Sequence, residues 1–216
     1  MPIHKKTAIT YTAIGAVLLL GGCGGSPEEQ MQNSLEGAAE AEEEFAEQQQ
    51  PMMDLHEEEQ SLFASMQELS VEEMDEIESQ SEEAVSLAEE RESHLETEKE
   101  SIESSYEEFQ QGIESGEEAE ADLSSELQAA QESMEGRYNA YQNLNEAYAE
   151  GIDRDKELYE ALTNENLTVD ELQDQIAKVN ESYTIVADEQ EQFNTYTDQY
   201  NEAKTSLYEA AGIEQE

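Results

Sequence analysis

The stretch 169–211, VDELQDQIAKVNESYTIVADEQEQFNTYTDQYNEAKTSLYEAA, decides the fold. Within it Val169, Leu172, Ile176, Val179, Tyr183, Val186, Gln190, Phe193, Thr197, Tyr200, Lys204, Leu207 and Ala211 recur at alternating steps of three and four. Side chains so spaced share one face of an α-helix, and a stripe this regular is the seam by which a helix packs on others. Only Gln190, Thr197 and Lys204 interrupt it with polar groups. Similar seams run from Leu123 to Leu162, from Met74 to Phe109 and from Met31 to Leu69, in a background of Glu, Gln, Ala, Leu and Met, all strong helix formers.

Helix starts are marked by capping boxes, in which a Ser or Thr oxygen satisfies a free backbone N–H while an acid three residues on reaches back. Four occur at near-regular intervals: Ser26-Pro27-Glu28-Glu29, Ser70-Val71-Glu72-Glu73, Ser115-Gly116-Glu117-Glu118 and Thr168-Val169-Asp170-Glu171. They divide the chain into helical stretches 27–69, 71–114, 116–163 and 169–211, each about 65–70 Å long at 1.5 Å per residue. Equal lengths and short turns predict an all-α fold, an elongated up-down-up-down antiparallel four-helix bundle forming a single domain over 27–213. Pro51 is expected to kink the first helix or split it after Gln50.

The chain carries 56 acidic and 9 basic side chains, a formal net charge of −47. So few cations cannot neutralise a nucleic-acid footprint, which excludes nucleic acid as a partner. The N-terminus reads as an address. Lys5 and Lys6 precede an apolar run at 8–20, too short to span a membrane and shaped like a secretory leader. Leu20-Gly21-Gly22-Cys23 resembles the lipobox of bacterial lipoproteins, which predicts cleavage between Gly22 and Cys23 and a diacylglyceryl group on the Cys23 thiol. Residues 1–22 are then a cleaved signal peptide, and 23–26 a lipidated cysteine with a short tether. The mature chain keeps 7 basic against 56 acidic side chains, a net of −49. Two acyl chains anchor it to the outer face of the cytoplasmic membrane without any polypeptide in the bilayer.

Catalytic and metal chemistry find little support. The only thiol is the anchor, and a di-iron bundle needs Glu-x-x-His pairs, whereas the residues three before His56 and His94 are Met53 and Arg91. No catalytic residues, metal or cofactor are expected apart from the lipid on Cys23, and the protein reads as a non-enzyme. The seams do contain an unexpected polar set. With helix ends flush, Gln49, Arg91, Arg137 and Gln190 fall in roughly one layer at mid-bundle, with Glu98 and Glu42 one or two turns nearer the membrane end. Such a buried polar layer would fix register and helix order at some cost in stability. Eight of the nine mature tyrosines lie in the last two stretches; most read as core, with Tyr196 and Tyr208 facing outward or flanking the seam.

The order of motifs resembles the YkyA-like family of cell-wall-binding lipoproteins of Gram-positive bacteria. The resemblance runs from the cysteine through Gln48-Gln49-Gln50-Pro51, Arg91 with Glu98-Lys99-Glu100-Ser101-Ile102, and Arg137-Tyr138. Its most specific part is Phe193-Asn194-x-x-Thr197-x-x-Tyr200-Asn201-x-x-Lys204. The resemblance implies a four-helix up-and-down bundle outside the cytoplasmic membrane and carries over no catalytic residues. The expected function is a monomeric, non-enzymatic envelope lipoprotein, a spacer or adaptor whose partners are cell-wall glycan or envelope proteins. The competing reading is a lipoprotein that buffers divalent cations, or carries a ligand, through its carboxylates. Wall polymers are themselves anionic, so charge-driven wall binding is disfavoured, and salt is expected to stabilise the acidic bundle by screening its self-repulsion.

Overall fold

Three of the four rods begin at a capping box, where side chains satisfy backbone N–H groups that a helix start leaves free. The computed structural model describes residues 26–119 and 122–213. It contains α1 (Pro27–Ala41), α2 (Glu43–Met66), α3 (Met74–Glu117) led by a 3-10 turn at Val71–Glu73, α4 (Ser124–Leu162) and α5 (Val169–Ala211), with no strand among the described residues. At Ser26 and Thr168 the hydroxyl accepts from the N–H of Glu29 and Glu171, each at 3.3 Å. The Glu29 and Glu171 carboxylates accept in turn from the cap N–H at 3.1 and 2.9 Å. Glu73 likewise accepts from the Ser70 N–H at 3.0 Å.

The turns that open α3 and α5 are near copies, Leu69-Ser70-Val71-Glu72-Glu73-Met74 and Leu167-Thr168-Val169-Asp170-Glu171-Leu172. Leu69 with Met74, and Leu167 with Leu172, occupy the two positions of a hydrophobic staple and are half-buried. At its other end α5 closes on Gly212 at φ 70°, with the N–H of Ile213 bonded to the Tyr208 carbonyl at 2.9 Å. This is a Schellman stop, which only glycine enters without strain.

α1 and α2 form one broken rod, so the bundle has four. α3 lies antiparallel to it, placing Gly116 against Met31 and Arg91 against Glu59. α4 runs antiparallel to α3, with Tyr159 beside Ser81 and Tyr138 stacked on Tyr106. α5 pairs with α4 through Tyr183 on Asp155 and Thr197 on Arg137. The core is a column of apolar clusters, from Met31, Leu35, Phe109 and Leu207 at one end, through Phe45, Ile102, Tyr141 and Phe193, to Met66, Ile77 and Tyr159 at the other.

Two expectations are corrected. The box at Ser115 starts no helix: its hydroxyl donates back to the Gln111 carbonyl at 2.9 Å, and α3 continues to Glu117. The next helix begins at Ser124 rather than 116. Pro51 neither ends nor splits its helix, because it lies within α2. The break is at Glu42, where the Ser101 hydroxyl enters the helical ladder, accepting from the Phe45 N–H at 3.0 Å and donating to the Ala41 carbonyl at 2.6 Å. A side chain inserted between a carbonyl and the N–H four residues on is a recognised cause of helix breaks. Of the two placements expected for Tyr208, outward or flanking the seam, it takes the second, buried beside Leu207 in the terminal apolar cluster.

Candidate functional site

The polar seam residues do not form one layer. Arg91 and Arg137 stand in two separate nodes about 20 Å apart along the bundle, counting 1.5 Å per residue from Arg91 to Ser105, the α3 residue that shares Glu42 with Arg137. The cause is the misplaced turn. In an antiparallel pair, moving the turn by a few residues shifts the facing residues by twice as many, and the α3–α4 turn lies beyond Glu117 instead of at Ser115.

In the first node each rod contributes one or more side chains. Arg91 of α3, 1% exposed, donates to both oxygens of Glu59 of α2 at 2.9 and 2.8 Å, to Asp155 of α4 at 3.1 Å and to the Tyr183 hydroxyl of α5 at 2.6 Å. The Tyr183 and Tyr159 hydroxyls donate to Asp155 at 2.5 Å and to Glu59 at 3.2 Å. Burial pushes the Glu59 carboxyl up to about 7 against the pull of Arg91, and raises Asp155 in the same way. Burial opposes the Arg91 charge, yet Tyr183, Glu59 and Asp155 together hold its pKa above the usual value.

The second node is built around Arg137. It grips Glu42 with two bonds of 2.7 Å, and its Nε donates to Thr197 at 3.1 Å. Its guanidinium lies 5.0 Å from the Phe193 ring and 5.8 Å from the Tyr200 ring, both aromatic faces favouring the cation. Ser105 completes the grip by donating to Glu42 at 2.8 Å. The most specific stretch of the family motif is thus a cradle: Phe193, Thr197 and Tyr200 hold Arg137 onto the residue where the first rod breaks. Lys204 of the same motif lies 5.5 Å from the Tyr208 ring, and burial lowers its pKa. Asn194 is half-buried and Asn201 exposed.

Between the nodes Gln49 donates to Glu98. Glu98 is 4% exposed, and burial pushes its carboxyl up to about 8. Gln190 is half-buried and joins neither node.

Sequence reasoning placed Arg91 and Arg137 in the seam but missed that Glu59, Asp155 and Tyr183 close on Arg91. The available signal was their own position on the stripes of three and four. His56, Glu59 and Asp155 bring ligand atoms within 4.8 Å of one another. The Arg91 guanidinium, at 2.8 and 3.1 Å from the two carboxylates, holds the position a cation would need. The geometry suits cross-linking of rods; a reacting molecule has no approach to carboxylates so deeply buried.

The surface offers shallow grooves. One, beside Ser101 at the break, is lined by Glu40, Glu43, Glu44, Glu47 and Glu100. Another follows α5 past Asp188, Glu191 and Tyr196. Tyr196 rests on Gly136, where an added methyl would meet its ring at 2.7 Å. Gly22 and Cys23 lie outside the described residues, and no helix among those described is long and apolar enough to cross a membrane.

Fold and site together define an acidic, all-helical bundle whose buried charged side chains are bonded to polar partners on neighbouring rods. The chain matches, over residues 26–210, the YkyA family, described as "Putative cell-wall binding lipoprotein", and it belongs to that family. It is 40% identical over 76 residues to the "Uncharacterized lipoprotein YkyA" of Bacillus subtilis (strain 168), an alignment spanning 35% of this chain and 34% of that one. A crystal structure of a conserved protein of unknown function from Staphylococcus aureus shares the fold at a TM-score of 0.71, with 13% identity over 84% of this chain and 93% of the other.

Proposed function

We propose that the protein is a non-enzymatic spacer or adaptor of the cell envelope, held on the outer face of the cytoplasmic membrane by a diacylglyceryl group on Cys23. The observation that carries this reading is the fate of the buried polar groups. Arg91, Glu59, Asp155, Arg137 and Glu98 are tied to seam partners on other rods, so the chemistry they offer goes into joining the rods of the bundle. Wall contact, where it occurs, is made by neutral and aromatic groups such as Tyr196 on the outer face of α5, because the acidic surface repels anionic polymers.

Two measurements test this. Cys23→Ser should move the protein from the membrane to the soluble fraction; a variant that stays membrane-bound argues against the anchor. The same variant, co-sedimented with purified sacculi from low to molar NaCl with and without Mg²⁺, should bind saturably at high salt if the wall is the partner. Absence of binding under every condition assigns the adaptor role to envelope proteins. A second reading, that the carboxylates hold divalent cations near the membrane, is favoured by the groove with five glutamates beside Ser101. It requires many weak Mg²⁺ or Ca²⁺ sites in equilibrium dialysis that are lost in molar NaCl.

A further inference from the structure

The backbones of α3 and the α1–α2 rod, of α3 and α4, and of α4 and α5 approach within 8 Å along their lengths, whereas α5 and the α1–α2 rod scarcely do. The bundle is therefore two helical hairpins, α1–α2–α3 and α4–α5, joined backbone to backbone along one edge only. On the opposite edge long side chains span the gap: Phe45 meets Phe193 at 6.0 Å between ring centres, and His56 meets Tyr183 at 5.1 Å. The two arginine nodes cross between the hairpins in opposite senses. Arg91 belongs to the first hairpin and holds Asp155 and Tyr183 of the second. Arg137 belongs to the second and holds Glu42 of the first.

We propose that the protein is a clamp, hinged along α3 and α4, whose α2–α5 edge opens when the Arg91 and Arg137 latches are released. Three physical arguments support it. Buried ion pairs give up much of their Coulomb attraction to desolvation, so parting them into water recovers part of what closure cost. Two like-charged hairpins in a chain of net charge −47 push each other apart, and the edge without backbone contact is the one that yields. Packed helices switch between discrete arrangements by moving as rigid bodies about an interface that stays intact, the role assigned here to α3–α4. Opening brings Phe45, Val186 and Phe193, buried between the hairpins when closed, into contact with solvent.

The test is a pair of distances measured by spin labels in the full chain carrying Cys23→Ser. One pair, Met53→Cys with Ile185→Cys, joins α2 to α5 at positions 55% and 48% exposed. The other, Glu89→Cys with Glu157→Cys, joins α3 to α4 at exposed positions. Glu42→Gln releases one latch at a side chain already 24% exposed, and adding Asp155→Asn weakens the second. The expected result is a new 53–185 population longer by about 10 Å, the width of one packed helix, with the 89–157 distance and the helical circular dichroism unchanged. Lengthening of both pairs together, or of neither in a variant that stays folded, overturns the proposal.

Discussion

α3 and α5 are nearly the same length, yet they are built on opposite plans. α5 has the more apolar seam, and it buries only six residues, with Val186, Phe193, Tyr200 and Leu207 a heptad apart. α3 has the poorer seam, including Ser81, Ala84, Ala88, Arg91, Glu98, Ser101 and Ser105, and it buries fourteen. The difference is one of neighbours. α3 is flanked closely by the broken first rod and by α4, while α5 lies close to α4 alone. Small residues let backbones approach on two sides, and a polar group at such a position must find its partner on another rod. Large aromatic residues are what a peripheral helix needs to reach across a wide gap. Apolarity along a seam therefore reports the distance to be spanned as much as the depth of burial.

The largest effect should come from removing the cation on which the four rods converge. Arg91→Met leaves Glu59 and Asp155 buried without it and should cost about 3–5 kcal/mol in denaturant unfolding. Tyr183→Phe, the α5 contribution to the same node, should cost only about 1 kcal/mol. Equal losses would break the contrast between the two helices. Next, Ala88→Leu, at a fully buried position of α3, should cost about 1–3 kcal/mol by overpacking. Ala187→Leu on the exposed side of α5 should be nearly neutral, and thermal melts of the two variants decide it.

Smaller and dependent on pH is the effect of Glu98→Gln. Folded Glu59 and Glu98 hold protons up to about 7 and about 8, whereas unfolded chains release them near 4.5. Stability should therefore fall as pH rises from about 4.5 to about 8 and then level off. Glu98→Gln should gain roughly 2 kcal/mol at pH 8.5 and little at pH 4.5; an equal gain at both would remove burial of charge as the cause. Smallest of all is Ser101→Ala, which lets the Phe45 N–H return to the Ala41 carbonyl. It should straighten the rod at Glu42 with a change below about 1 kcal/mol, seen as slowed amide exchange at Phe45.

Much of this architecture was legible. The steps of three and four name the buried face of α3 almost residue for residue, from Ile77 through Phe109, and the boxes at Ser26, Ser70 and Thr168 coincide with helix starts. What was not legible depended on tertiary contacts. Ser115 has the local chemistry of a cap, but Gly116 beside it packs against Met31 and Leu127, which keeps the helix running. Pro51 has the chemistry of a breaker, but the ladder is interrupted instead by Ser101, a residue remote in sequence. The register error followed from the first of these, and it merged two arginine nodes into one imagined layer. The motif that carried the family resemblance showed its role only once Arg137 was seen between Phe193, Thr197 and Tyr200.

The twin turns at Leu69–Met74 and Leu167–Leu172 bear on how the chain acquires its structure in time. Each closes one hairpin with its own start signal and staple, using contacts local in sequence, and local contacts form early because little loop entropy opposes them. The two hairpins should thus assemble separately on a fast timescale, leaving their docking through the Arg91 and Arg137 nodes as the slow step. In stopped-flow refolding, Ser70→Ala combined with Thr168→Ala should slow the early helical phase, while Arg137→Met should slow only the later one. A single phase affected alike by both would mean that the turns and the arginines belong to one cooperative nucleus.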